Sequence, residues 1–246
     1  MRRGRADEIA DELLGLVVDE TFPVGQSLPS EAELAARFGV SRLTVREAIR
    51  LLASTRVIDV RQGRSSVIND PSLWSPLDGR LLIARSQVQN DRLHLARRLI
   101  EARRAVEVAI AELAAVRRTE SQVDRLVGAH EDMSDAHARG DVEAATEADL
   151  TFHALLFEAA DNPFLTALTE PLASVLRTLR RRTSSVEEIR AHALDRHAAI
   201  LRAVALRDAA AARDAMQDHL VQTEEDTVRY LGSDLAGESK SDWVVQ

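Results

Sequence analysis

Along most of the chain apolar residues recur at three- and four-residue spacing, the period of a helix buried on one face. Ile9, Leu13, Leu16 and Val17 mark a first amphipathic helix, which Phe22-Pro23-Val24-Gly25 ends. Ser30 then caps a short helix, with Glu33 at the reciprocal capping-box position. Gly39 breaks that helix, and Ser41 caps another that runs to about residue 54. The β-branched stretches 56–61 and 65–68 flank Gln62-Gly63-Arg64 and predict a short hairpin. Helix–turn–helix followed by hairpin is the outline of a winged helix, here residues 1–68. The pattern breaks at Asn69-Asp70-Pro71-Ser72 and Ser75-Pro76-Leu77-Asp78-Gly79, so 69–90 reads as a linker. Downstream the pattern predicts about six helices, near 91–116, 119–139, 141–160, 163–182, 186–206 and 208–231. Short breaks between them imply an antiparallel bundle over 91–231, followed by a frayed tail at 232–246. The predicted class is mainly α, a winged helix-turn-helix plus an all-α bundle.

Charge sharpens this division. The 246 residues carry a net charge of −8, yet residues 37–64 hold seven Arg against two acids. A basic stripe on an acidic chain points to one confined polyanion site. With no cysteine, thiolate zinc sites, disulfides and Cys nucleophiles are excluded. No apolar run is long enough to span a membrane and no signal-peptide core follows Met1, so a cytoplasmic protein is expected. On the helix from Ser41, the core stripe is Val45, Ala48, Ile49 and Leu52. Arg42, Arg46 and Arg50 then fall together on the adjoining flank, with Thr44 near the helix N-terminus. Such a helix fits a DNA major groove, where Arg contacts phosphates or guanine edges. Arg61 and Arg64 on the hairpin would reach the flanking backbone. A solvated charged face is the alternative for three Arg taken alone.

The bundle has polar residues where apolar ones are expected. Asp149 and His153 share a face with Phe152 and Leu156; His197 lies on a stripe with Ile200, Leu201 and Val204; His219 lies beside Met216 and Leu220. An ionised Asp facing a core needs a partner or a cation. One carboxylate and three imidazoles converging would make a site for Zn²⁺, Ni²⁺ or Mn²⁺. The alternative is a set of hydrogen-bonded core histidines with Asp149 paired to an Arg. His94, His130, His137 and His192 carry no motif and read as surface residues.

Two stretches resemble known families. Leu28-Pro29-Ser30-Glu31-x-Glu33-Leu34-Ala35 and Gly39-Val40-Ser41-Arg42-x-Thr44-Val45-Arg46-Glu47-Ala48 resemble the signature of GntR-superfamily winged-helix regulators. The resemblance implies that Arg42, Thr44 and Arg46 contact DNA and that Gly63 belongs to the wing. Ala32 stands where many members have an Arg, Arg56 where a Gly usually follows the recognition helix, and Ser65 and Val67 where the wing has a Gly and an aromatic. Glu101-x-Arg103-x-x-Val106-Glu107-x-x-Ile110-Ala111, Asp149-x-x-Phe152-His153, Asn162-Pro163 and His197-x-x-Ile200 are similar to the FCD effector domain of FadR-type members. That likeness implies metal ligands at Asp149, His153, His197 and His219, and an effector site that includes Arg103 and Asn162. Trp74-Ser75-Pro76-Leu77-Asp78-x-x-Leu81 is similar to the linker of galactonate-operon-type repressors, a subgroup responding to sugar acids.

Together these imply a ligand-responsive repressor, a homodimer on operator DNA, with no catalytic residue. Its effector would be a small carboxylic acid held at a divalent metal, zinc first. A helical-bundle metalloenzyme, hydrolase or oxygenase, is the rival reading, although no HExxH or paired ExxH motif supports it.

Overall fold

The computed structural model describes residues 4–60, 65–75, 78–89 and 92–237. The chain divides near residue 91 into two compact units. In the first, α1 (Arg5–Val18), α2 (Glu31–Phe38) and α3 (Arg42–Ser54) precede β1 (Ile58–Asp59) and β2 (Val67–Ile68). Both predicted caps form. Ser30 Oγ accepts from the Glu33 N–H at 3.3 Å while the Glu33 carboxylate accepts from the Ser30 N–H at 2.8 Å, and Ser41 Oγ accepts from the Thr44 N–H at 3.1 Å. Gly39 ends α2 at φ 64°, a left-handed conformation that costs a residue without Cβ nothing. The strands pair antiparallel, Ile58 opposite Ile68 and Asp59 opposite Val67, shorter than the β-branched runs predicted. The tip between them, with Arg61, Gly63 and Arg64, lies outside the described residues.

Helix α3 closes with both Schellman hydrogen bonds, Arg56 N–H to Ala53 O at 3.0 Å and Val57 N–H to Leu52 O at 2.9 Å. Arg56 therefore sits at φ 64°, at the position where a glycine is usual among the proteins this segment resembles.

The expected linker is more ordered than its turn signals suggested. After a 3-10 turn at Pro71–Leu73, α4 (Gly79–Gln89) forms and packs on α1. Trp74, Leu81 and Ala84 are buried in the same core as Ile9, Leu13, Leu34, Val45 and Ile49. Trp74 Nε1–H donates to Asn69 O at 3.1 Å, so its one polar group is satisfied and the ring contributes only apolar burial. The turn residues before α4 had hidden its short apolar stripe.

The second unit contains α5 (Arg92–Arg117), α6 (Glu120–Arg139), α7 (Val142–Ala160), α8 (Pro163–Thr169), α9 (Ala173–Ser184), α10 (Glu187–Ala205) and α11 (Ala209–Gly237). α5 packs against α11 and α7, α7 against α6 and α9, and α10 against α11, α6 and α5. Ile110, Leu126, Phe152, Leu156, Ile200, Val204, Met216 and Leu220 form the core. The single helix expected over 163–182 is instead α8 and α9 joined by a 3-10 turn at Glu170–Leu172. Pro171 lies at its start, lacks an N–H and cannot continue α8. α11 extends past the predicted end at 231 to Gly237. Among the described residues no helix is long and apolar enough to cross a membrane.

Candidate functional site

On α3, burial of Val45, Ala48, Ile49 and Leu52 leaves Arg42, Arg46 and Arg50 exposed along one side. Arg46 is gripped by Glu31 of α2, Nε to Oε1 at 2.9 Å and Nη2 to Oε2 at 2.6 Å. The Arg46 hydrogen bond, and then the charges of Arg46, Arg50 and Arg42, hold the Glu31 carboxyl below the usual carboxylate range. All three guanidiniums are thus electrostatic neighbours of one carboxylate, as the helical spacing required. Thr44 is half-buried, its hydroxyl 2.9 Å from Ser41 Oγ. The sequence reading missed Glu31 as a partner because the pair joins two helices.

In the bundle, α7 carries His153, α10 His197 and α11 His219, and all three are buried. One ring nitrogen from each lies within 4.8 Å of the others. His153 Nε2 and His197 Nε2 are 3.1 Å apart, close to the roughly 3.0–3.4 Å that separates two ligands each about 2.1 Å from one ion. Asp149 Oδ1 lies 3.6 Å from His197 Nε2 and 4.0 Å from His153 Nε2. Its other oxygen, Oδ2, accepts from Arg180 of α9. The pairing alternative for Asp149 is therefore realised on one oxygen only, and the second still faces the imidazoles. His197 Nδ1 and His219 Nε2 are buried without a hydrogen-bond partner among the described residues. Burial, reinforced by the neighbouring imidazoles, keeps His197 and His219 well below the ordinary histidine pKa, so both are neutral. Neutral imidazoles with converging nitrogens and a carboxylate oxygen beside them fit a divalent cation.

Arg103 lines the same region and pairs within its own helix. It is buried, but its Nε and Nη2 donate to Glu107 on the same helix at 2.7 and 3.3 Å. Glu107 Oε2 also lies 2.7 Å from His153 Nδ1. Burial would raise the Glu107 pKa, but Arg103, His153 and Arg180 outweigh it and hold the carboxyl far below its usual range. Glu107 thus lies between Arg103 and His153 Nδ1, where a carboxylate would orient a histidine that held a metal. Asn162 has a structural role at the start of α8. Its Oδ1 caps α8, accepting from the N–H groups of Phe164 and Leu165 at 3.2 and 3.4 Å.

Beside the histidines lies a cavity of about 40 Å³, lined among others by Arg103, Asp149, Arg180, Arg190 and His219. Arg180 and Arg190 were not anticipated. Burial, and Arg103 next to it, push Arg180 down to about 9 while Glu107 pulls the other way, which leaves it cationic at neutral pH. His130 is half-buried with Nε2 3.1 Å from Leu194 O, and His192, still partly on the surface, has Nδ1 3.0 Å from Asp226 Oδ2. His137 is half-buried too and lines the cavity, whereas His94 is exposed.

Residues 5–68 match the model for bacterial regulatory proteins of the gntR family, and residues 98–222 match the FCD domain. The chain is 31% identical over 213 residues to the HTH-type transcriptional regulator LutR of Bacillus subtilis, covering 82% of this chain and 91% of that one. It is also 31% identical over 217 residues to the galactonate operon transcriptional repressor of Escherichia coli, covering 87% and 93%. Among solved structures it is similar to a Streptococcus agalactiae GntR protein, at TM-score 0.50 and 31% identity over 89% of this chain and 99% of that one. These relatives are transcriptional regulators, which removes the metalloenzyme reading. The chain belongs to the GntR family of bacterial transcriptional regulators, in the branch that carries an FCD domain.

Proposed function

We propose that this regulator is a repressor that binds its operator as a cytoplasmic homodimer and is released by a small carboxylic acid held at a divalent metal. The observation that carries the effector half is the buried cluster of His153, His197 and His219, each with a ring nitrogen within 4.8 Å of the others, opening on an arginine-lined cavity. Asp149 would complete the ligand set through Oδ1 while Arg180 holds Oδ2. Three nitrogens and one oxygen suit zinc first, with nickel or manganese as alternatives. A divalent ion held there would supply a Lewis-acidic partner for a carboxylate oxygen. This chain's own contribution would be orientation, with Glu107 beside His153 Nδ1 and Arg180 on Asp149. The relatives' names point to the same chemistry, since one is a repressor of a galactonate operon.

On DNA, Arg42, Thr44, Arg46 and Arg50 are assigned to the major groove, and Gly63 and Arg64 to the wing beside it. Two half-sites related by a twofold axis fit two copies of the chain. The acid then acts by favouring a dimer geometry with lower operator affinity. A gel-shift assay on the upstream region of the neighbouring operon tests this. The zinc-loaded protein shifts the fragment, the right acid among galactonate, gluconate, lactate and citrate releases it, and stripping the metal abolishes the release. Release by a neutral compound with the metal irrelevant would overturn the effector reading and leave the DNA reading standing.

A further inference from the structure

The charged groups around the cavity do not balance. Arg103, Arg180 and Arg190 are all more than nine-tenths buried, against two buried carboxylates, Glu107 and Asp149. Glu107 serves Arg103 and Asp149 serves Arg180. Arg190 has no carboxylate partner among the described residues; its Nη1 donates to the Ser184 carbonyl at 2.5 Å, and its Nε has no hydrogen-bond partner. Several acids on the surrounding helices pair elsewhere: Glu143 with Arg181, Glu147 with Arg177, Glu224 with Arg97 and Arg104, and Asp226 with His192. His137 Nδ1, on the same cavity, is likewise buried and unpartnered. A divalent ion at the histidines would add to this positive excess. Buried uncompensated charge is costly, so the site is built for an anion beyond those the chain provides.

Position along α10 gives the spacing. Arg190 and His197 are seven residues apart on the same helix, two turns or about 10 Å along its axis and on one face. The cavity reaches the histidine site through His219 and Asp149, which line it together with Arg190. We infer that Arg190 receives a second carboxylate of the effector, and that the effector is a short dicarboxylate. This rests on the reading of an acid at the metal and names what lies at its far end. The planar guanidinium fork matches a carboxylate bidentately, with His137 beside it as a further hydrogen-bonding group. A short chain follows from size, since about 40 Å³ holds about three waters at roughly 10–15 Å³ each.

Succinate and butyrate share a four-carbon chain and differ in the second carboxylate, so titration calorimetry with both on the zinc-loaded full-length protein is the test. Succinate binds at least tenfold tighter than butyrate, and Arg190→Gln removes that preference while leaving butyrate affinity in place. Arg190→Lys, which keeps the charge without the fork, restores part of it. Far-UV circular dichroism checks that the variants are folded, and the wild-type comparison needs no variant at all. Equal wild-type affinities, or a preference that survives in Arg190→Gln, overturn the role of Arg190 while the acid at the metal stands. If neither acid binds the zinc-loaded protein, the short dicarboxylate is overturned, and titration of galactonate, gluconate, lactate and citrate on the same sample decides separately whether an acid binds at the metal.

Discussion

Glu107 meets three positive or hydrogen-bonding neighbours in a place where water cannot help it, and Arg103 depends on it in turn. Removing one charge of such a buried pair strands the other. Glu107→Gln should therefore lower the stability of the helical unit by about 3–5 kcal/mol, read as a large fall in Tm. The double substitution Glu107→Met with Arg103→Met should recover most of that loss, because neither charge then remains to be solvated. On the DNA side, Arg46 is held by Glu31 in the free protein. Arg46→Ala should cost about 1–3 kcal/mol of specific operator affinity if its fork reads a base. Quantitative footprinting decides this: a variant that protects the operator like wild type at moderate salt removes Arg46 from the reading set.

At the scale of the elements, two helix ends carry distinguishable roles. Asn162→Ala removes the side-chain acceptor at the start of α8, and should cost about 1 kcal/mol with acid-induced release from DNA unchanged. Loss of release without loss of stability would place Asn162 in the effector site. Arg56 closes α3 in a left-handed conformation, where a Cβ meets the carbonyl and costs about 1 kcal/mol. Arg56→Gly should therefore raise the thermal midpoint of the winged-helix unit, with both Schellman hydrogen bonds intact. A lowered midpoint would show that contacts of the Arg56 side chain outweigh the backbone strain.

For the whole molecule, the histidine cluster couples stability to pH, and the proposed metal would couple to it as well. Free histidines in the unfolded chain take up protons below about pH 6.5, whereas folded His197 and His219 resist protonation until well below that. The unfolded state then binds more protons, so stability of the metal-free protein falls as pH drops from about 6.5 toward the folded-state pKa, by up to about 1.4 kcal/mol per pH unit for each imidazole. Above that range the two histidines leave stability flat. Added zinc should raise the Tm of the helical unit in proportion to RT ln(1 + [Zn]/Kd), about 4 kcal/mol at a thousandfold excess over Kd. Chelator should reverse it. A Tm that responds neither to zinc nor to chelator would remove the metal.

Local rules decided what was legible beforehand. The caps of α2 and α3, the apolar stripe of α3 and the shared face of Asp149 and His153 are relations within four residues, set by helix geometry wherever the chain goes. The order of motifs along the chain then carried the histidines of α10 and α11 into the same site. Pairings between elements could not be read this way. Arg180, Arg181 and Arg182 stand in one run, yet Arg180 is buried on Asp149 while Arg181 is exposed and Arg182 half-buried. Which of them turns inward depends on the angle at which α9 leaves the Pro171 turn and packs on α7. The same holds for Arg103, whose neutraliser was visible four residues away but whose burial was not, and for Arg190, whose isolation depends on where every other acid is spent. Periodicity sets which residues share a face; only the packing of helices against one another sets which charges meet and which is left for a ligand.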